Sequence, residues 1–163
     1  MTIDKFWKLI EQVKDDEEPE VGIDLSLRKL APEELISYQE HFDALVRKAY
    51  RWDLWGAAYI MEGGCSDDGF IDFRYGLIAQ GRDVYDAALE NPDSLADLDT
   101  EEISNELFGY ITEEVYEEVT GEDEMPRKPL QDPAEPLGEE WDFDDPKENA
   151  RRLPRLWARY GES

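Results

Sequence analysis

The chain has 163 residues, 40% of them hydrophobic and 12% aromatic, a composition that excludes a disordered protein and allows one domain with a core and an appendage. Forty-two acids against seventeen Lys and Arg give a net charge of −25, a field that repels nucleic acid and anionic membrane and attracts cations or basic partners. No run approaches the ~20 apolar residues that span a bilayer, the start is not that of a secretory signal, and a lone cysteine makes no internal disulfide, all of which points to a reducing cytoplasm.

Residues 2–14 read as a helix. Thr2 suits its cap, and Phe6, Leu9, Ile10 and Val13 recur at steps of three and four. A polar break follows in "DDEEPEVG". The stretch "IDLSLRKL" fits either a short helix or an extended segment, because alternation and helical spacing are both present.

The strongest helical signal begins at Pro32, a residue suited to a first turn, with Glu33 and Glu34 beside it at the positive end. Leu35, Tyr38, Phe42, Leu45 and Ala49 mark one buried face, and Arg47, Lys48 and Arg51 gather toward the end. Trp52 to Met61 is apolar nearly all round, as suits a central helix, and Gly63 and Gly64 stop it. Ser66 then caps a new helix with Asp67 and Asp68 in its first turn, a Phe70, Phe73, Leu77 stripe and an end at Gly81.

A short helix follows, broken at Asn91-Pro92. Thr100 is expected to open the next, lined by Ile103, Leu107, Ile111, Val115 and Val119 up to Gly121. Residues 122–145 hold four prolines and no helical period, as in a linker or a docked loop; Trp141 and Phe143 favour docking. Residues 146–163 read as a short basic amphipathic helix, short or kinked at Pro154. The organisation expected is therefore an all-α fold: a helical domain over 1–121 forming a single bundle of six to eight helices, an irregular acidic linker, and a terminal basic helix.

Charge is uneven along the chain. Residues 1–121 carry 30 acids and 10 bases, whereas residues 147–163 carry five bases and two acids. A cationic, aromatic tail on an anionic body is expected to fold back onto it, either completing the core or serving as a detachable arm that competes with a basic ligand.

The segment 52–82 collects the small, aromatic and polar residues. Cys65 precedes a helix N-terminus, a field that lowers a thiol pKa, but a nucleophile would need His41, the sole histidine, to meet it. Asp67, Asp68, Asp72 and Glu62 are oxygen donors without a calcium-loop spacing, so no metal or other cofactor is expected. Arg74 and Arg82 are the only bases between Trp52 and Arg127. Two readings stay open for them. Either each pairs with a carboxylate, Asp53 or Asp68, or they join Gln80 and Ser66 in a polar pocket walled by Trp52 and Trp55. The candidate ligand or partner site is thus Trp52, Asp53, Trp55, Cys65, Ser66, Asp67, Asp68, Arg74, Gln80 and Arg82.

The runs "DKFWKLIEQV", "LAPEELISYQEHFDALVRKAYRWDLWGAA" and "WDLWGAAYIMEGGCSDDGFIDFRYGLIAQGRDVYDAALENPDSLAD" resemble domain-of-unknown-function family 4240, a set of bacterial proteins, over roughly residues 3–120. The resemblance implies no activity, and the chain beyond it is read from composition alone. The function expected is a cytoplasmic, non-catalytic binding module for a basic protein partner, with an inhibitor or immunity-like role as one form. The alternative is a small-molecule- or metal-dependent enzyme using the 52–82 joint. Solubility or a salty cytoplasm is the plainer account of the acidity itself.

Overall fold

The computed structural model describes residues 1–100, 102–127 and 131–161. Nine α-helices make up most of it: α1 (Ile3–Glu11), α2 (Pro19–Leu27), α3 (Pro32–Lys48), α4 (Trp52–Glu62), α5 (Asp67–Ala79), α6 (Arg82–Glu90), α7 (Glu106–Thr120), α8 (Pro146–Arg152) and α9 (Pro154–Tyr160), with a 3-10 helix at Pro92–Asp97. No strand occurs among the described residues, and the fold is all-α. Residues 1–121 carry seven of the α-helices and the 3-10 helix, and the C-terminal tail carries the other two. The ambiguous stretch after the first break is helical as α2, and Pro154 divides the basic tail into α8 and α9.

Local chemistry sets the helix ends. Thr2 Oγ1 accepts from the Lys5 amide, Ser66 Oγ from Gly69 and Asn105 Oδ1 from Phe108, each satisfying a first-turn N–H. Gly63 closes α4 at φ 69°, a left-handed position that glycine occupies without steric cost. The expected opening at Thr100 is corrected to Asn105. Thr100 Oγ1 accepts from the Glu102 amide, and the Asn105 side chain supplies the cap.

One core joins these elements. It contains Phe6, Trp7 and Ile10 of α1, Leu35, Tyr38 and Phe42 of α3, Leu54 and Ala57 of α4, and Phe70, Phe73 and Leu77 of α5. α4 is buried on most sides, as its composition demands. Close approach needs small residues at two places. A Cβ on Gly76 would lie 1.5 Å from the Ile103 carbonyl oxygen, and one on Gly56 would lie 2.3 Å from the Trp141 ring.

The face of α7 is a second correction. Phe108, Ile111, Thr112, Val115 and Tyr116 turn inward, while Leu107 and Val119 are 62% and 45% exposed. Steps of four drift around a 3.6-residue turn, so the Leu107–Val119 ladder slides off the buried face at both ends.

Of the Pro-rich segment, residues 128–130 lie outside the described residues, and residues 131–145 lie against the helices as a strap. The Leu137 amide donates to the Tyr50 carbonyl and the Trp52 amide to the Leu137 carbonyl. Trp141 is 9% exposed and donates its indole N–H to Asn149 at 2.8 Å. The basic tail folds back as well: Leu153 and Leu156 are buried, and the Arg155 and Leu156 amides donate to the Asp93 carboxylate.

Candidate functional site

At the 52–82 joint the aromatic residues come together. The rings of Trp52 and Trp55 stack at 5.5 Å, and Trp55 stacks on Phe70 at 4.9 Å while donating its N–H to the Cys65 carbonyl. Trp55 thus braces the turn between α4 and α5. Ser66 Oγ is committed to its cap, with Asp67 and Asp68 in the first turn of α5.

The polar residues disperse instead. Arg74 is 1% exposed and points inward. Its guanidinium makes a bidentate pair with Asp132 at 2.9 and 2.9 Å, donates to the Val46 and Phe70 carbonyls, and lies 4.8 Å from the ring centroids of both Tyr50 and Phe70. The pairing of Arg74 or Arg82 with Asp53 or Asp68 is corrected: Asp53 takes Arg51, and Asp132 reaches Arg74 from the strap, 58 residues away in sequence. Arg82 points to α1 and its own helix, pairing with Asp4 and Asp86. Gln80 is the half-buried C-cap of α5. Arg74 and Arg82 therefore serve separate neighbours.

Cys65 and His41 also have separate surroundings. The His41 ring meets the Met1 carbonyl at 2.7 Å and the Phe6 ring. Burial, and then the nearby Glu62 carboxylate, push the Cys65 thiol up to about 12, so at neutral pH it stays protonated and a poor nucleophile. Among the described residues no three His, Cys, Asp or Glu side chains gather where they could hold a metal ion.

Two other regions offer concave surface. The first is a groove of about 300 Å³ between α2 and α7. Its apolar floor is Val21, Leu25, Leu107 and Ile111, and Glu20, Asp24 and Glu114 form its rim. Val21, Leu25 and Leu107 are 52%, 59% and 62% exposed. Arg28 is outside the lining but pairs with Asp24 of the rim and with Glu118 of α7. Sequence reasoning assigned Leu107 to the core; the available signal was the excess of apolar positions on α7 beyond what one face of a helix can bury. The second region is a cleft of about 520 Å³ where the strap and α9 meet α4.

The exterior is acidic even after internal pairing. Ten bases form ion pairs among the described residues, and thirteen different carboxylates take part in them, out of 42 acids in the chain. No helix among the described residues is long and apolar enough to cross a membrane.

The model of a family described as "protein of unknown function (DUF4240)" matches residues 1–118. The matched span holds α1 to α6 and most of α7, including both walls of the groove. The strap, α8 and α9 lie beyond it. No curated protein and no solved structure matches the chain.

Proposed function

The chain belongs to the DUF4240 family, and we propose that it is a cytoplasmic binding module, without catalysis, for a basic protein partner. The observation that carries this reading is the α2–α7 groove, where exposed aliphatic side chains sit beside three carboxylates, of which Asp24 is paired with Arg28 and Glu20 and Glu114 form no ion pair among the described residues. An exposed apolar patch rimmed by polar residues is a common form of protein interaction surface. Here the rim selects for charge. A partner segment with apolar anchors and flanking Lys or Arg gains burial from Val21, Leu25 and Leu107 and attraction from Glu20 and Glu114.

Other occupants fit less well. A second copy would bring its own −25 charge to an acidic rim. The chain's own basic tail is held elsewhere, with Leu156 buried and Arg155 paired to Asp97. An inhibitor or immunity-like role is one biological use of such a surface, since it would cover a basic protein's working face.

The test uses a fluorescent amphipathic helical peptide of Leu and Lys, with a Leu and Glu counterpart as control. Only the basic peptide is expected to bind, with affinity falling as salt rises. Glu20→Lys/Glu114→Lys should weaken binding by tenfold or more. Glu40→Lys/Glu90→Lys makes the same charge change at exposed positions away from the groove and should weaken it much less. Leu25→Ser/Leu107→Ser, which alters no charge, should also weaken it. Equal losses from the two charge reversals, with no effect of the leucine pair, would reduce the groove to a diffuse acidic surface and refute the reading.

A further inference from the structure

The cleft beside α9 has a different chemistry from the groove. Four aromatic residues line it: Tyr59 from α4, Phe143 from the strap, and Trp157 and Tyr160 from α9. Ile60 adds an apolar surface. Among the described lining residues the only charged side chain is Asp144, and the Tyr59 hydroxyl donates to it at 2.5 Å, which fixes the carboxylate in place. Asn149, the other polar side chain of the wall, is already committed to the Trp141 indole and the Phe143 carbonyl. The Tyr160 hydroxyl is buried, so the residue presents its ring and not its hydroxyl to the cleft.

We propose that this cleft binds a small organic cation, one that carries a methylated or quaternary ammonium group. The faces of Trp, Tyr and Phe attract a cation whose charge is spread over methyl groups, and such a group needs no hydrogen-bond acceptor of its own. Asp144 adds a full negative charge at one end of the aromatic wall. The volume, about 520 Å³, is that of a site for a whole small molecule rather than for one side chain. One cation already uses this chemistry nearby: the Arg159 guanidinium lies 5.0 Å from the Tyr160 ring centroid and is held by the Ala96 and Leu98 carbonyls. Arg159 is outside the lining, so it is a neighbour of the cleft and not its occupant.

The site is independent of the α2–α7 groove. It is built by α8, α9 and the strap, which lie outside the family match, laid on α4, which lies inside it.

Choline and its uncharged carbon isostere, 3,3-dimethyl-1-butanol, make a matched pair of probes. Titration followed by tryptophan fluorescence and by saturation-transfer NMR on the full chain should show saturable one-to-one binding of choline, with the isostere at least about tenfold weaker. Asp144→Asn removes the charge at an exposed position without removing an acceptor for Tyr59, and should weaken choline about tenfold while leaving the isostere unchanged. Trp157→Leu should weaken both. Glu40→Lys/Glu90→Lys, which reduces the overall charge elsewhere, should leave choline binding within about twofold. Equal affinity for choline and its isostere, or loss of choline binding with the distant charge change but not with Asp144→Asn, would overturn the proposal. Asp144→Asn keeps it testable even if Trp157→Leu fails to fold.

Discussion

The Arg74 guanidinium, buried in α5, and the Asp132 carboxylate, carried by the strap, form a two-pronged ion pair at 2.9 and 2.9 Å. This contact ties the family-matched domain to the C-terminal segment. A guanidinium removed from water must find acceptors for its donors, and here one carboxylate and two carbonyls supply them between two aromatic rings. Arg74→Ala should cost about 3–5 kcal/mol, since it opens a cavity and leaves the Val46 carbonyl short of a donor. Arg74→Lys should recover little of it, because an ammonium cannot make the paired contact. Asp132→Asn should cost less, because that carboxylate is 31% exposed and partly hydrated. Urea unfolding of these variants checks the order, and a double-mutant cycle should give a coupling of about 1–3 kcal/mol.

Gly76 lies inside a helix where alanine would be favoured by about 1 kcal/mol on propensity alone. The close approach of Ile103 reverses that preference, because the new Cβ would meet a backbone carbonyl that cannot swing aside as a side chain can. Gly76→Ala should therefore lower stability by about 2–3 kcal/mol, by displacing the segment that leads into α7. Thermal unfolding of the variant is the measurement. A neutral or stabilising result would mean that Ile103 packs farther from α5.

Cys65 gives a pH-dependent outcome with a definite sign. Burial holds its thiol up at about 12 in the folded chain, against an ordinary value of about 8.5 when unfolded. The folded state therefore keeps its proton where the unfolded state has lost it. This contribution to stability is fully present below about pH 8.5 and is lost as pH rises through the folded value. In native protein, alkylation by iodoacetamide at pH 8 should be at least about tenfold slower than in urea-unfolded protein. Cys65→Ser should flatten the alkaline decline in stability. Rapid native alkylation at pH 8 would show that partial burial does not hold this thiol protonated.

Much of the fold was legible because helical stripes are local. Phe6 with Ile10, Leu35 with Tyr38 and Phe42, and Phe70 with Phe73 all turn inward at the spacing that suggested it. The caps at Thr2 and Ser66 were legible for the same reason. What the sequence hid was pairing at a distance. Nothing near Arg74 indicates that its partner arrives 58 residues later, and the nearest acids in sequence, Asp72 and Asp68, are not the ones used. The α7 face was misread because a step of four looks like a stripe for two turns and then drifts away from the core. The aromatic cleft was invisible, since it exists only when the strap and α9 settle on α4.

That drift on α7 supplies a direct check on the groove. Leu107 and Phe108 are neighbours in sequence, yet one is 62% exposed and the other 2%. Phe108→Ala should cost about 3–5 kcal/mol, the range for emptying a buried aromatic site. Leu107→Ser should change stability by no more than about 0.5 kcal/mol, as at other exposed positions. Urea midpoints of the two variants, measured side by side, decide the rotation of α7 about its own axis. If Leu107→Ser were as costly as Phe108→Ala, the helix would present a different face, and Leu107 would belong to the core instead of the floor of the α2–α7 groove. If the costs separate as expected, a leucine that the fold does not need stands beside an acidic rim, and its contribution can be sought in binding alone.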